Sequence, residues 1–349
     1  MPHSDFATGA SHRNGILDGW RGILALWVLF GHIDHVVGVH MPVLRAPGYA
    51  VDVFIVLSGY FIHASISALS MKYSTRDATL KFYLQRALRI WPAYVVILII
   101  SVVFFEVLWR LTGQTRMAEL SSNGTLFNTL MHVSLLNGLF PTYVSSSSIP
   151  SWSLSLELQF YLLYPLLFFT KTYRSIALIV VAFLLAYASP YLLGNYAQPG
   201  LWAHYGLPST LPYRLFYFLL GVAWQIETKG EARVSVKLLI LIASFINPFS
   251  AAAIAVVYAS NLPQARSFAI PLLEHRLMQF FGQISYSLYL IHAPVVLLVW
   301  WSLQSLSLNF TTAGVNFVLM SVLSLPIATG LAFIIYQYIE QRFHHAKKH

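Results

Sequence analysis

Apolar runs of about 20 residues recur along this chain, separated by short polar links. In hydrocarbon every backbone amide and carbonyl must be bonded within the protein, so only helices and closed barrels can cross it. Barrel strands alternate residue by residue, and these runs are too continuously apolar for that. The sequence therefore specifies an all-α integral membrane protein. Only 9% of its residues are charged, with a mean hydropathy of +0.66. A soluble domain carries about 25% charged residues. Cysteine is absent, which removes disulfides and thiolate chemistry.

The spans fall at roughly 16–37, 48–70, 88–109, 152–170, 174–194, 213–227, 235–247, 249–262, 284–304 and 313–338, about ten in all. Residues 235–262 are long enough for one kinked helix or two short ones broken at Asn247-Pro248. Charge decides between them. With two helices both termini share one side. Of the 21 Lys and Arg residues, only Arg45, Arg110, Arg116 and Arg214 then fall opposite. That is a strong positive-inside bias, and it assigns both termini to the cytoplasm. The net charge of +9 belongs to those loops and not to a nucleic-acid surface. Residues 1–15 read as a polar cytoplasmic segment, 16–340 as the membrane domain and 341–349 as a basic tail. Met1–Gly15 has no apolar core ending in a cleavage site, so the first run is a retained span. The one long loop, about 110–150, reads as outer. Its SSSS stretch at 145–148 reads as a flexible connector. Leu126–Phe140 is apolar but too short to cross, and lies on the surface or re-enters.

Charged and polar residues inside apolar runs are the functional candidates. In LDGWRGILALWVLFGHIDH, Arg21 and His32 are eleven positions apart. That is about 16 Å along a helix and about 20° around it, so they share a face. Arg86 and Arg89 share a face of the third span, as cytoplasmic anchors or as a fork for phosphate. Glu157 lies within the fourth span near its outer end and needs a partner. His32 is the candidate, with Glu157 orienting its ring. Ser153, Ser155 and Gln159 lie nearby, suited to a sugar or to helix contacts. Asp52 reads as a charge at a helix start, Ser58-Gly59 as a packing point, and His292 as a second intramembrane histidine. Histidines three apart at His32 and His35 allow a metal, but no zinc spacing supports one, so none is expected.

These stretches resemble the acyltransferase 3 family. LDGWRGILALWVLFGH is similar to its opening signature, a basic residue followed by histidine. RALR at 86–89 resembles its R-x-x-R. VDVFIVLSGYFI, SWSLSLELQFYLLYP and ISYSLYLIHAP follow in the family's order. Where relatives carry two adjacent acidic residues, this chain has Glu157 and then Leu158. The resemblance implies a stand-alone O-acyltransferase in a bacterial inner membrane. It would move acetyl or a longer acyl group from cytoplasmic acetyl-CoA or another acyl-CoA to a hydroxyl of a glycan or glycoside. His32 and Glu157 would be catalytic, with His32 a general base or a transient acyl carrier. Arg21, Arg86 and Arg89 would hold the donor. Asp18, His35, Ser153 and His292 would support the site or contact substrate. The runner-up is a glycolipid or small-molecule transporter or flippase, which buried charges also suit.

Overall fold

The computed structural model describes residues 15–112, 125–144, 146–193, 209–308 and 310–345. Residues 1–14 of the expected N-terminal segment, 113–124 of the loop and 346–349 of the tail lie outside the described residues. Among the described residues there are helices and turns but no strand.

Each expected span coincides with a helix. The elements are α1 (Gly15–Val37), α2 (Gly48–Ser70), α3 (Thr75–Thr112), α4 (Thr125–Val133), α5 (Pro141–Val144), α6 (Trp152–Phe169), α7 (Ile176–Leu193) and α8 (Leu211–Thr228). After them come α9 (Val236–Ala243), α10 (Pro248–Ser260), α11 (Pro263–Leu273), α12 (Arg276–Gln283), α13 (Ser285–Ser305) and α14 (Ala313–Ile335). The last runs through a π-helical turn, Tyr336–Glu340, into α15 (Gln341–His345). Among the described residues, five helices are long and apolar enough to cross a membrane: α1, α2, α3, α13 and α14 with its continuation.

Several boundaries depart from the expectation for identifiable reasons. The helix α3 begins thirteen residues before the expected span. Ser74 Oγ accepts from Asp77 N at 3.2 Å and donates to Asp77 Oδ2 at 2.8 Å, which caps the helix early. Arg86 and Arg89 are therefore inside a long helix and not at its start. The break at Asn247-Pro248 is present: Asn247 Oδ1 accepts from Phe249 N and Ser250 N, both at 3.0 Å. The preceding α9 has only 8 residues and rises about 12 Å, so it does not cross by itself. The link expected after residue 262 holds two further helices, α11 and α12.

Side-chain bonds sort the helix ends. Asp52 near the start of α2 pairs with Arg214 near the start of α8 and accepts from Ser250 Oγ near the start of α10 at 2.6 Å. At the opposite end, Lys229 Nζ donates to Ser67 Oγ at 3.2 Å, and Trp20 Nε1 donates to Ser260 Oγ at 2.8 Å. Arg174 pairs with Glu231 at 2.8 Å. This second end carries the arginines and lysines of the expected cytoplasmic side, and we call it the basic end. Asp52 is therefore more than a helix-start charge: it ties three helices together at the far end.

Glycine allows two close crossings. A Cβ on Gly221 would sit 1.8 Å from Val56 O, and one on Gly59 would sit 2.1 Å from Phe218 O, so α2 and α8 meet backbone to backbone. Likewise a Cβ on Gly282 of α12 would sit 2.1 Å from Asp18 O of α1. Small residues are what let helices in lipid approach this closely.

The serine stretch is not a free connector. Ser146, Ser147 and Ser151 are buried, as are Asn128, His132 and Asn137. Asn137 Nδ2 donates to Ser151 Oγ at 3.0 Å, and His132 reaches Ser151 and Ser146 at 3.0 and 3.1 Å. Ser146 Oγ donates to Asn128 Oδ1 at 2.7 Å. Trp91 Nε1 and Tyr94 OH donate to the carbonyls of Val133 and His132 at 3.0 and 2.9 Å, fastening this cap to α3. Ser146 and Ser147 are held because their hydroxyls bond buried partners, Ser147 Oγ accepting from Ile149 N at 3.2 Å.

Gly221→Ala should lower the apparent melting temperature in detergent, since overpacking a tight contact costs about 1–3 kcal/mol. Gly330→Ala, where a Cβ meets nothing within 4 Å, should leave it unchanged or raise it. Equal melting of the two variants would contradict the close α2–α8 crossing.

Candidate active site

Arg21 of α1 and Arg86 and Arg89 of α3 line one cavity of about 90 Å³. The sequence places two of them together by helical spacing. The fold adds the third by packing α1, α3 and α13 around a common space. Arg86 is buried, and its guanidinium stacks over the rings of Phe82 and Tyr161 at 5.4 and 5.6 Å. Its Nε is buried without a hydrogen-bond partner. Arg21 makes a loose contact with Asp18, at 3.5 Å. Asp18 thus supports Arg21, and its backbone carbonyl also seats Gly282.

Two further carboxylates face this positive group. Glu157 lines the cavity and accepts at Oε1 from Tyr161 OH at 2.5 Å and from Ser58 Oγ at 3.2 Å. Ser58 is accordingly a polar contact of the cavity, while its neighbour Gly59 does the packing. Glu340, in the π-helical turn, is buried, accepts from Ser287 Oγ, and is within electrostatic reach of Arg21 and Arg89. The π turn adds a residue to the helix repeat, which rotates Glu340 relative to the preceding face.

His32 lies about three helical turns beyond Arg21. Its ring is set against His292 of α13, with centroids 4.7 Å apart and edge-to-face. This corrects the expected partner: what the structure places on the Glu157 carboxylate is Tyr161 and Ser58, and what it places on His32 is His292. The geometry fixes the protons. His32 Nδ1 lies 2.7 Å from Val28 O, and His292 Nδ1 lies 2.6 Å from Tyr289 O. A carbonyl only accepts, so both Nδ1 atoms carry hydrogen. His292 Nε2 lies 3.3 Å from His32 Nδ1, whose one hydrogen is given to Val28 O. The basic nitrogen of His32 is Nε2.

Of the remaining expected site residues, Ser153 lines the cavity and its Oγ meets Tyr289 OH at 2.7 Å. His35 is half-buried one turn beyond His32. Gln159 is a helix contact: its Oε1 accepts from Leu211 N at 2.9 Å and its Nε2 donates to Ser209 O at 2.9 Å. Among the described residues no three of His, Asp and Glu are grouped to hold a metal.

Sequence reasoning missed Tyr161, Tyr289 and Glu340. The tyrosines gave no signal, because apolar spans commonly contain tyrosine. Glu340 did give one, as an ionisable residue at the end of an apolar run. It was lost by ending the last span at residue 338.

A family model described as an acyltransferase domain matches residues 14–270. The chain is 26% identical to the putative peptidoglycan O-acetyltransferase YrhL of Bacillus subtilis, over 81% of this chain and 48% of that one. It is 25% identical to the peptidoglycan O-acetyltransferase OatA of Listeria monocytogenes, over 86% of this chain and 54% of that one. With the acyltransferase MdmB of Streptomyces mycarofaciens it shares 27% identity, over 80% of this chain and 78% of that one. The chain thus spans about half the length of the first two relatives. No solved structure matches it. The matched model stops short of α13 and Glu340, so His292, Tyr289 and Glu340 lie beyond it.

The charge balance of the cavity is open to a direct test with pyrophosphate. Arg86→Ala and Arg89→Ala should each weaken its binding about tenfold, because each removes a charged hydrogen-bonding fork. Glu340→Gln should tighten it about fivefold, as expected for removing roughly 1 kcal/mol of repulsion. Unchanged affinity in all three variants would mean that the anion binds elsewhere.

Proposed function

The chain belongs to the acyltransferase 3 family, and on that premise we propose that it is a membrane O-acyltransferase. The donor is a cytoplasmic acyl-coenzyme A, acetyl-coenzyme A first. The acceptor is a hydroxyl of a glycan or glycoside reached from the far side of a bacterial cytoplasmic membrane. Both termini lie in the cytoplasm, so the basic end faces the donor. The observation that carries this reading is the alignment of a triple-arginine cavity with an imidazole pair about 16 Å further along the same helix. An acyl-coenzyme A has that shape: anionic phosphates, then a long pantetheine arm, then a thioester.

The residues take the following roles. Arg21, Arg86 and Arg89 hold donor phosphates. Glu157 and Glu340 keep the three cations from repelling one another when no donor is present. His32 Nε2 takes the proton of the acceptor hydroxyl. The oxygen attacks the thioester carbonyl, the carbon–sulfur bond breaks, and coenzyme A leaves as a thiolate that picks up a proton. The Val28 carbonyl accepts from His32 Nδ1 and so holds the ring in the tautomer this step requires, while the His292 ring packs edge-to-face against it. The thioester itself is activated, so the enzyme must supply position and a base, and these residues supply both. Relatives described as peptidoglycan O-acetyltransferases support a glycan as the acceptor class.

His32→Ala should reduce ester formation on the host glycans by at least about 100-fold at unchanged protein level. Mass spectrometry of surface glycans with and without the gene reads this directly, as gain or loss of one acyl mass. Full acylation by His32→Ala would remove the histidine from the mechanism. An acceptor that changes sides of the membrane without gaining mass would make the protein a transporter instead.

A further inference from the structure

One hydroxyl donor in the cavity is left without a good acceptor. Among the described residues that line it, five carry hydroxyls: Ser58, Ser153, Ser285, Tyr286 and Tyr289. Each hydroxyl has one hydrogen to give. Ser58 gives its hydrogen to Glu157 Oε1 at 3.2 Å, Ser285 to Gly282 O at 2.8 Å and Tyr286 to Ile90 O at 2.8 Å. Ser153 and Tyr289 differ. Their oxygens are 2.7 Å apart, so one donates to the other and one hydrogen of the two is used. The second hydrogen has Pro150 O, at 3.3 Å from Tyr289 OH and 3.5 Å from Ser153 Oγ. Hydroxyl hydrogen bonds are ordinarily about 2.5–3.0 Å long, so either contact is weak. The pair therefore holds one hydrogen that the protein binds poorly.

That hydrogen lies on the side of the cavity toward the imidazoles. The helix α6 runs alongside α2, from the far end toward the basic end, with Ser58 on Glu157 and His63 on Tyr164. Ser153 precedes Glu157 by four residues, so it is about 6 Å nearer the far end. On α13, Tyr289 comes after Ser285 and Tyr286 and before His292. Its ring is 5.7 Å from that of His292, which in turn is 4.7 Å from that of His32. Tyr289 is buried, and its backbone carbonyl accepts from His292 Nδ1 at 2.6 Å. A ligand oxygen in this part of the cavity meets a donor already in place.

We infer that the Tyr289 hydroxyl, itself accepting from Ser153, donates to the carbonyl oxygen of the donor's thioester and stabilises the charge that forms there during transfer. This rests on the reading of the cavity as the donor site. Of the two hydroxyls the phenol is the more acidic and so the stronger donor, and the bond from Ser153 strengthens it further. As the acceptor oxygen bonds to the thioester carbon, His32 Nε2 takes its proton and the carbonyl π pair moves onto the carbonyl oxygen. Tyr289 OH donates to that oxyanion. The pair then returns to the carbon, the carbon–sulfur bond breaks, and the thiolate takes the proton held by His32. The oxygen is fully charged only between these two events. A donor that bonds it more strongly then than in the ground state accelerates the chemical step itself. The arginines hold phosphates and His32 moves a proton, so Tyr289 fills the one remaining need, a partner for the carbonyl oxygen.

The test follows initial rates of ester formation on the glycans of native membranes at varied acetyl-coenzyme A. Tyr289→Phe should lower kcat by about 100-fold and change the donor KM by less than about threefold, as for loss of one oxyanion donor. Ser153→Ala should lower kcat less, by about tenfold. Two unreactive donor analogues, used as inhibitors, separate this from a structural effect. One is S-ethyl-coenzyme A, which has no carbonyl; the other is the ketone in which methylene replaces the thioester sulfur. The wild-type chain should bind the ketone about fivefold more tightly than the thioether, and Tyr289→Phe should bring that ratio to about one. Distortion of the cavity weakens both analogues together and leaves their ratio where it was. A wild-type chain that binds the two equally overturns the inference, whether or not the variants fold. So does a Tyr289→Phe chain with wild-type kcat or an unchanged ratio, and so does a larger loss in Ser153→Ala than in Tyr289→Phe. A wild-type chain that forms no ester and binds neither analogue overturns the functional reading, and this inference with it.

Discussion

Three guanidiniums share one small cavity inside a bundle of apolar helices, and much of the structure serves to make that tolerable. Arginine does not lose its proton in a protein, so the positive charge cannot be relieved by titration. It has to be met by geometry. Arg86 is laid across Phe82 and Tyr161, whose rings present their negative faces. Glu157 reaches the cavity from α6 and is itself held by Tyr161 and Ser58. Glu340 comes from the other end of the chain, on a π turn that packs against α3 and is held by Ser287. With Asp18, loosely paired with Arg21 at 3.5 Å, three carboxylates face the three cations.

Gathering those side chains from six helices requires the helices to be close, which explains the position of the glycines. Gly59 and Gly221 bring α2 against α8, where the starts of both helices are also tied through Asp52 and Arg214. Gly19, Gly22 and Gly282 bring α1 against α11 and α12, so the start of α1 is clasped at the level of Arg21. The apolar core of this protein supplies little driving force in lipid, since lipid tails are as apolar as leucine. Close backbone contact and a few buried polar bonds have to supply it.

How far the sequence could be read follows from the same physics. A helix fixes the relation of its own residues, so Arg21 with His32, and Arg86 with Arg89, were legible from spacing alone. The helix break at Asn247-Pro248 was legible because proline and an asparagine cap act locally. Relations between helices were not. Depth suggested Glu157 as the partner of His32, but depth does not say which faces meet, and His292 of α13 occupies that position. The SSSS stretch illustrates the same limit. Local composition reads as a mobile link, whereas His132 and Asn128, 14 and 18 residues away, draw the Ser146 hydroxyl into a buried network.

The imidazole pair shows how local and long-range constraints combine. A histidine in a helix can donate from Nδ1 to a carbonyl one turn back, and His32 does so to Val28 and His292 to Tyr289. Each helix therefore sets the tautomer of its own ring before the two helices meet. Packing α1 on α13 then sets the two rings edge-to-face, with His292 Nε2 3.3 Å from His32 Nδ1. The basic atom of His32 is determined by the Val28 carbonyl on its own helix, and the position of its ring by α13. A substitution that rotates either helix by a fraction of a turn would change the chemistry at His32 without touching it.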